Sequence, residues 1–146
     1  KRALDDFYRR FSSDPLVLDK WMAVQAMSPR PDTEERVRDL MEHDAFSIEN
    51  PNRVRALIGA FANANPLRFH DKSGSGYRLV GEIIQKLDAI NPQTAARMAT
   101  AFENWRKYGP NRQSLMKAEL EEIASAKPLS ANLYEIVSRI LGTNEA

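Results

Sequence analysis

Three arginines stand where this chain could grip a carboxylate. Arg53 and Arg55 fall in NPNRVRALIGAF (50–61) and Arg97 in NPQTAARMATAF (91–102), two stretches opened by Asn-Pro and closed by Ala-Phe at an offset of 41 residues. A guanidinium offers a carboxylate a planar fork of donors, and a modestly buried contact of that kind contributes about 1.5–3 kcal/mol, enough to orient a peptide terminus but not to catalyse. The same side chains could instead bridge within the chain to Glu49, Glu82 or Glu103. Arginine is also a good helix former whatever it touches, and with 14 Arg to 7 Lys most of them need no further role.

Other chemistry is thin. A zinc peptidase holds its ion with imidazoles at i and i+4 plus a carboxylate. His43 and His70 are the only histidines and neither has a second at that spacing, so no metal site is read and each is assigned a helix-end or solvated role. The run Ser73-Gly74-Ser75-Gly76 lacks the Lys-Ser/Thr and the preceding strand of a phosphate loop. It reads instead as a sharp turn into a helix near Tyr77, with Ser73 or Ser75 as cap. Glu119, Glu121 and Glu122, among Lys117 and Lys127, read as a solvated helix face. No nucleophile stands beside a base, so no catalytic residue is assigned.

Helical spacing must position whatever these residues do. A helix over 14–28 would bury Val17, Trp21, Val24 and Met27, and the next, capped by Asp32 or Thr33, would bury Val37, Leu40 and Met41. Asn50 caps a third, with Pro51 in the first turn, where its missing N–H costs nothing, and a seam of Val54, Leu57, Ile58 and Phe61. After a break over 65–75, residues 77–90 carry Val80, Ile83, Ile84 and Leu87. Asn91-Pro92 repeats the start, and a stripe of Ala95, Met98, Ala99 and Phe102 continues to Trp105 or Arg106 before Gly109-Pro110 stops it. Two more helices are read over 111–126 and 130–141, the last capped by Ser130. Leu4, Phe7, Tyr8 and Phe11 also share a helical face.

No stretch alternates with period 2 over a strand's length, so the fold class is all-α. Short connections place sequential helices antiparallel. Every second helix begins near Asp14, Asn50, Asn91 and Ser130, at intervals of 36, 41 and 39. That is the rhythm of HEAT and armadillo repeats, in which antiparallel pairs stack into an α-solenoid superhelix because no pair buries its own apolar face.

The totals fit one segment over 1–146. The chain is 42% apolar and 28% charged with no cysteine, which excludes wholesale disorder, disulfides and thiolate metal sites and makes the cytoplasm the default compartment. A net charge of +1 gives no general pull toward nucleic acid or an anionic membrane. The opening KRALDDFYRRFSSDPL has neither an initiator Met nor a signal peptide, so a cut from something longer is expected.

Three stretches, NPNRVRALIGAFANANPLRFH, SGSGYRLVGEIIQKL and INPQTAARM, resemble the closing part of bacterial aminopeptidase N, the alanyl aminopeptidases of the gluzincin family. WMAVQAMSP and the final LYEIVSRILG resemble the same region, so the likeness covers essentially the whole chain. It implies a parent enzyme that removes N-terminal residues from peptides with one zinc ion, held by an H-E-x-x-H helix and a distant Glu in an upstream catalytic domain. This chain would then be the second half of a C-terminal helical domain that closes over that catalytic domain and lines the cavity peptides enter, with no cofactor of its own. The resemblance makes Arg53 and Arg97 the candidates for substrate contact, with peptides and the catalytic domain as partners. The rival reading is a free-standing α-solenoid scaffold that binds a protein on its concave face.

Overall fold

A computed structural model describes residues 13–142 together with Asp6, Arg9 and Arg10; the stripe read at Leu4, Phe7, Tyr8 and Phe11 lies outside the described residues. The described residues are helical throughout with no strand, as the spacing required. They divide into two compact units, one ending at Arg68 and the other beginning at Phe69.

In the first unit, α1 (Pro15–Ala26) starts at Asp14, whose carboxylate accepts from the backbone N–H groups of Leu16 and Val17. Its buried face is Leu18, Trp21, Met22, Gln25 and Ala26, so of the expected seam only Trp21 is buried, while Val24 and Met27 are 61% and 43% exposed. The helix is apolar on two sides, and the stripe that won contains a glutamine. Gln25 can be buried because its amide donates to the Trp21 carbonyl at 3.2 Å, which offsets the cost of desolvating it. α2 (Thr33–Met41) buries Thr33, Val37 and Leu40. Asp32 stands at its N-cap with no side-chain bond to the helix; its carboxylate is taken by Arg30.

The third helix changes pitch twice: α3 (Pro51–Val54) passes into a π-helical turn (Arg55–Gly59) and then into α4 (Ala60–Ala64). Asn50 Oδ1 accepts from Arg53 N at 3.1 Å, and Val54, Leu57, Ile58 and Phe61 are all fully buried, as the spacing predicts. The stretch read as a break contains a short helix, α5 (Pro66–Phe69). Asn65, 3% exposed, explains it: its amide nitrogen donates to the Ala26 and Ser28 carbonyls, both at 2.8 Å, while its oxygen accepts from Arg68 N.

In the second unit, α6 (Ser75–Asp88) is entered through Gly74 in the left-handed region at φ +83°, which has no side chain to cap it; Ser73 Oγ, just before it, accepts from Ser75 N, the first N–H of the helix, at 3.2 Å and donates to Ser75 Oγ. The conformation suits glycine, which has no Cβ to clash. α7 (Pro92–Ala99) opens on Asn91, whose Oδ1 accepts from Thr94 N at 3.2 Å. The stripe expected to run on as one helix breaks into two 3-10 turns, Thr100–Phe102 and Trp105–Lys107. α8 (Pro110–Ala124) and α9 (Ala131–Leu141) follow, the latter capped by Ser130, which in turn donates from N and Oγ to the Asp88 carboxylate.

Packing within this unit makes two pairs, α6 with α7 and α8 with α9, and joins them through α6 to α8 and α7 to α9. Gly74 lies against Leu115, Gly81 against Glu119, and Gln85 bonds Glu122, so α6 and α8 run parallel. Equivalent helices of successive pairs therefore stack in the same direction, the arrangement of a helical repeat.

The four residues read as starting every second helix, Asp14, Asn50, Asn91 and Ser130, are all N-caps with side-chain bonds. The N-cap residues of α2, α6 and α8, Asp32, Gly74 and Gly109, make none.

Candidate functional site

Arg53 is the third residue after its cap, on the buried side of α3. Its Nε donates to Asp19 Oδ1 at 2.6 Å and its Nη1 donates to the Ala45 carbonyl, with only 7% of the side chain exposed. The guanidinium ties α3 to α1 and to the loop before it. Its carboxylate partner lies 34 residues away on another helix rather than at Glu49, Glu82 or Glu103. Arg55, on the π turn, is exposed and donates to Asn52 Oδ1.

Arg97 lies in the last turn of α7, where a cation complements the helix dipole. It is exposed, and no described residue pairs with its guanidinium; its carbonyl accepts from Thr100 Oγ1 at 2.6 Å. Arg53 belongs to the first unit and Arg97 to the second.

A second constellation escaped the sequence reading, which left His70 at a helix end or in solvent. The His70 ring stacks on Tyr108 at 4.4 Å and 25°, meets Phe69 edge-on at 4.7 Å, and shares a 2.7 Å hydrogen bond between Nδ1 and the Tyr77 hydroxyl. Phe69 in turn meets Tyr77 and Phe102 edge to face at 5.2 and 5.6 Å. Arg112 Nε donates to the His70 carbonyl at 2.7 Å, fixing the segment before Gly74 to α8.

Burial, followed by the nearby Arg112 charge, holds the His70 imidazolium below its ordinary range, so the ring is neutral near pH 7. Burial pushes the Tyr77 phenol up to about 12 despite Arg112. Two neutral rings joined by a hydrogen bond make a packing device with a polar centre. The available signal was the aromatic density of 69–77 and 102–108, which periodicity cannot join across the intervening chain. His43 does occupy a helix end: its Nδ1 accepts from Ala45 N at 2.9 Å and its ring lies 5.2 Å from Trp21.

Glu119 also departs from its solvated reading. It is half-buried against α6, and burial, with Glu122 next, pushes its carboxyl up to about 7. Among the described residues no group of three or more His, Cys, Asp or Glu could hold a metal ion, so the zinc implied by the resemblance has no ligand set here. No described helix is long and apolar enough to cross a membrane.

Residues 1–142 match the family described as DUF3458_C, a domain of unknown function with ARM repeats. The chain is 49% identical over 142 residues to an aminopeptidase N of Caulobacter vibrioides, covering 97% of this chain and 16% of that protein. Identity to the aminopeptidases N of Haemophilus influenzae and Escherichia coli is 41% and 39% over 138 residues, covering 94% of this chain and 16% of each. Among solved structures, Legionella pneumophila aminopeptidase A in complex with aspartic acid superposes with a TM-score of 0.90 and 39% identity, over 96% of this chain and 16% of that one. The chain thus spans 16% of the length of these relatives.

Proposed function

Because the chain belongs to the DUF3458_C family of ARM-repeat domains and is C-terminal domain sequence of the aminopeptidase N type, we propose that it serves a zinc aminopeptidase as a non-catalytic helical segment. In this reading it closes over the active-site cavity and helps admit and hold peptide substrates. Zinc and the residues that break the bond belong to a catalytic domain upstream, and the assembled enzyme works in the cytoplasm.

The observation that carries the reading is an exposed Arg97 with no partner among the described residues, in a chain whose named relatives are aminopeptidases. A free guanidinium at the end of a rigid helix can grip a carboxylate bidentately, so a peptide long enough to reach it gains orientation at a site remote from the scissile bond. Arg53 contributes differently, by fixing the start of its helix through Asp19 and Ala45. Substrate contact through it would use the remaining Nη2.

The test compares substrates of different reach in the full-length enzyme. Arg97→Ala should lower kcat/KM for tetrapeptides and longer by about tenfold, the equivalent of about 1.4 kcal/mol, and leave single-residue chromogenic anilides within about twofold. An equal loss on both removes Arg97 from the substrate site.

A further inference from the structure

α6 and α8 meet along Gly74–Leu115, Gly81–Glu119 and Gln85–Glu122. At the middle of this line a carboxyl group sits where a side chain would ordinarily be: a Cβ on Gly81 would collide with Glu119 Oε1. Glycine at 81 is what admits it. The surface it meets is the side of a continuous helix, whose N–H groups are already bonded within the helix and have nothing to donate.

The Glu119 carboxyl has neither a hydrogen-bond nor an ion-pair partner among the described residues. The charges acting on it are Glu122 on its own helix and Arg78 and Glu82 on α6, two like charges to one opposite. Arg78 Nη1 donates to the Ser73 carbonyl at 3.4 Å and makes no ion pair with Glu119. The other elements packed on α8 offer no relief: Glu135 and Arg139 of α9 are exposed, Arg106 is spent on the Leu141 carbonyl, and Lys107 is exposed.

We propose that the α6–α8 contact is a proton-linked joint, in which Glu119 seats against Gly81 as the neutral acid and leaves that seat on ionising, so that α8 is held more firmly on α6 in acid than in alkali. A partly desolvated carboxyl with no donor among the described residues, beside two carboxylates and one arginine, favours its neutral form, and a value of about 7 puts the change within reach of ordinary pH variation. The sign follows from linkage. With the folded value above the unfolded one, the contribution is complete below about 4.5 and is lost as pH rises through about 7. Because α8 also carries Arg112, which holds the His70 carbonyl, loosening would reach the segment before Gly74.

The experiment is amide hydrogen exchange of residues 111–124 in the full-length protein at pH 5.5 and pH 8, corrected for intrinsic rates, comparing wild type with Glu119→Gln. Wild-type α8 should open at least about tenfold more often at pH 8, since each unit of pKa difference is worth a factor of ten, while the variant changes by less than about threefold. Parallel behaviour of the two proteins would overturn the joint. Glu122→Gln gives an independent reading, because it keeps the titrating group and removes one like charge. The transition should then move to lower pH, and an unmoved midpoint would also count against the proposal. Neither readout depends on peptide turnover, so the joint can fail without touching the proposed substrate role of Arg97.

Discussion

The two copies of the Asn-Pro helix, 50–61 in the first unit and 91–102 in the second, begin alike and finish differently. Both are capped by an Asn side chain on the third backbone N–H, and both bury the same four register positions, Val54, Leu57, Ile58 and Phe61 against Ala95, Met98, Ala99 and Phe102. The first then loosens into a π turn at Arg55–Gly59, whereas the second tightens into a 3-10 turn at Thr100–Phe102. A repeated cap and seam therefore fix where a helix starts and which face it buries, but not its pitch. The arginines differ in the same way. Position 53 is buried and ion-paired, its register mate Thr94 is buried without a charge, and Arg97 faces outward.

If the Phe positions are equivalent anchors, Phe61→Ala and Phe102→Ala should each cost about 3–5 kcal/mol in urea denaturation, as expected for a large cavity at a fully buried site. A loss much smaller at one of them would show that its unit collapses around the gap and would break the equivalence.

Arg53→Ala comes next. It leaves Asp19, 22% exposed, without its cation and should cost about 3 kcal/mol, the lower end for a broken buried pair, while Thr94→Ala should stay near 1 kcal/mol. Equal losses would mean that the ion pair adds nothing beyond the packing of that register position. The caps should then match each other: Asn50→Ala and Asn91→Ala, about 1 kcal/mol apiece by thermal melting.

A pH difference sharpens the contrast between units. His70 titrates below its ordinary value in the folded state, so its contribution is intact above about 6.5 and is lost as pH falls through the lower folded value. Hydrogen exchange around 69–77 should accelerate between pH 7 and pH 5 more than around 50–61, beyond the intrinsic change. Smallest of all, Arg97→Ala should alter stability by less than about 0.5 kcal/mol, as for an exposed unpaired side chain. A larger loss would show that Arg97 has a structural partner after all.

What was legible in the sequence is local. Asp14, Asn50, Asn91 and Ser130 cap through atoms two or three residues away, so residue type and position sufficed to find them. The seams from Val54 to Phe61 and, in α6, from Val80 to Leu87 were equally plain, because each stretch has one apolar stripe. α1 was misjudged because it has two, and the choice between Val24 and Met22 depends on what packs against the helix and on Gln25 finding an acceptor. Glu119 was read as solvated because nothing near it in the chain reveals that Gly81, 38 positions earlier, leaves a seat for it.

The sequence by itself determined the all-helical class, the two-helix rhythm and the capped starts, since helix period and capping are satisfied by neighbours within a turn. Only the tertiary structure decided which arginine is spent and which is free, how His70 came to lie among three aromatic rings, and where a carboxyl group meets the side of a helix. Those outcomes rest on contacts between residues far apart in the chain, such as Arg53 with Asp19, 34 positions away, and Arg112 with His70, 42 away, where burial and partner geometry set the energy and spacing along the chain carries no information.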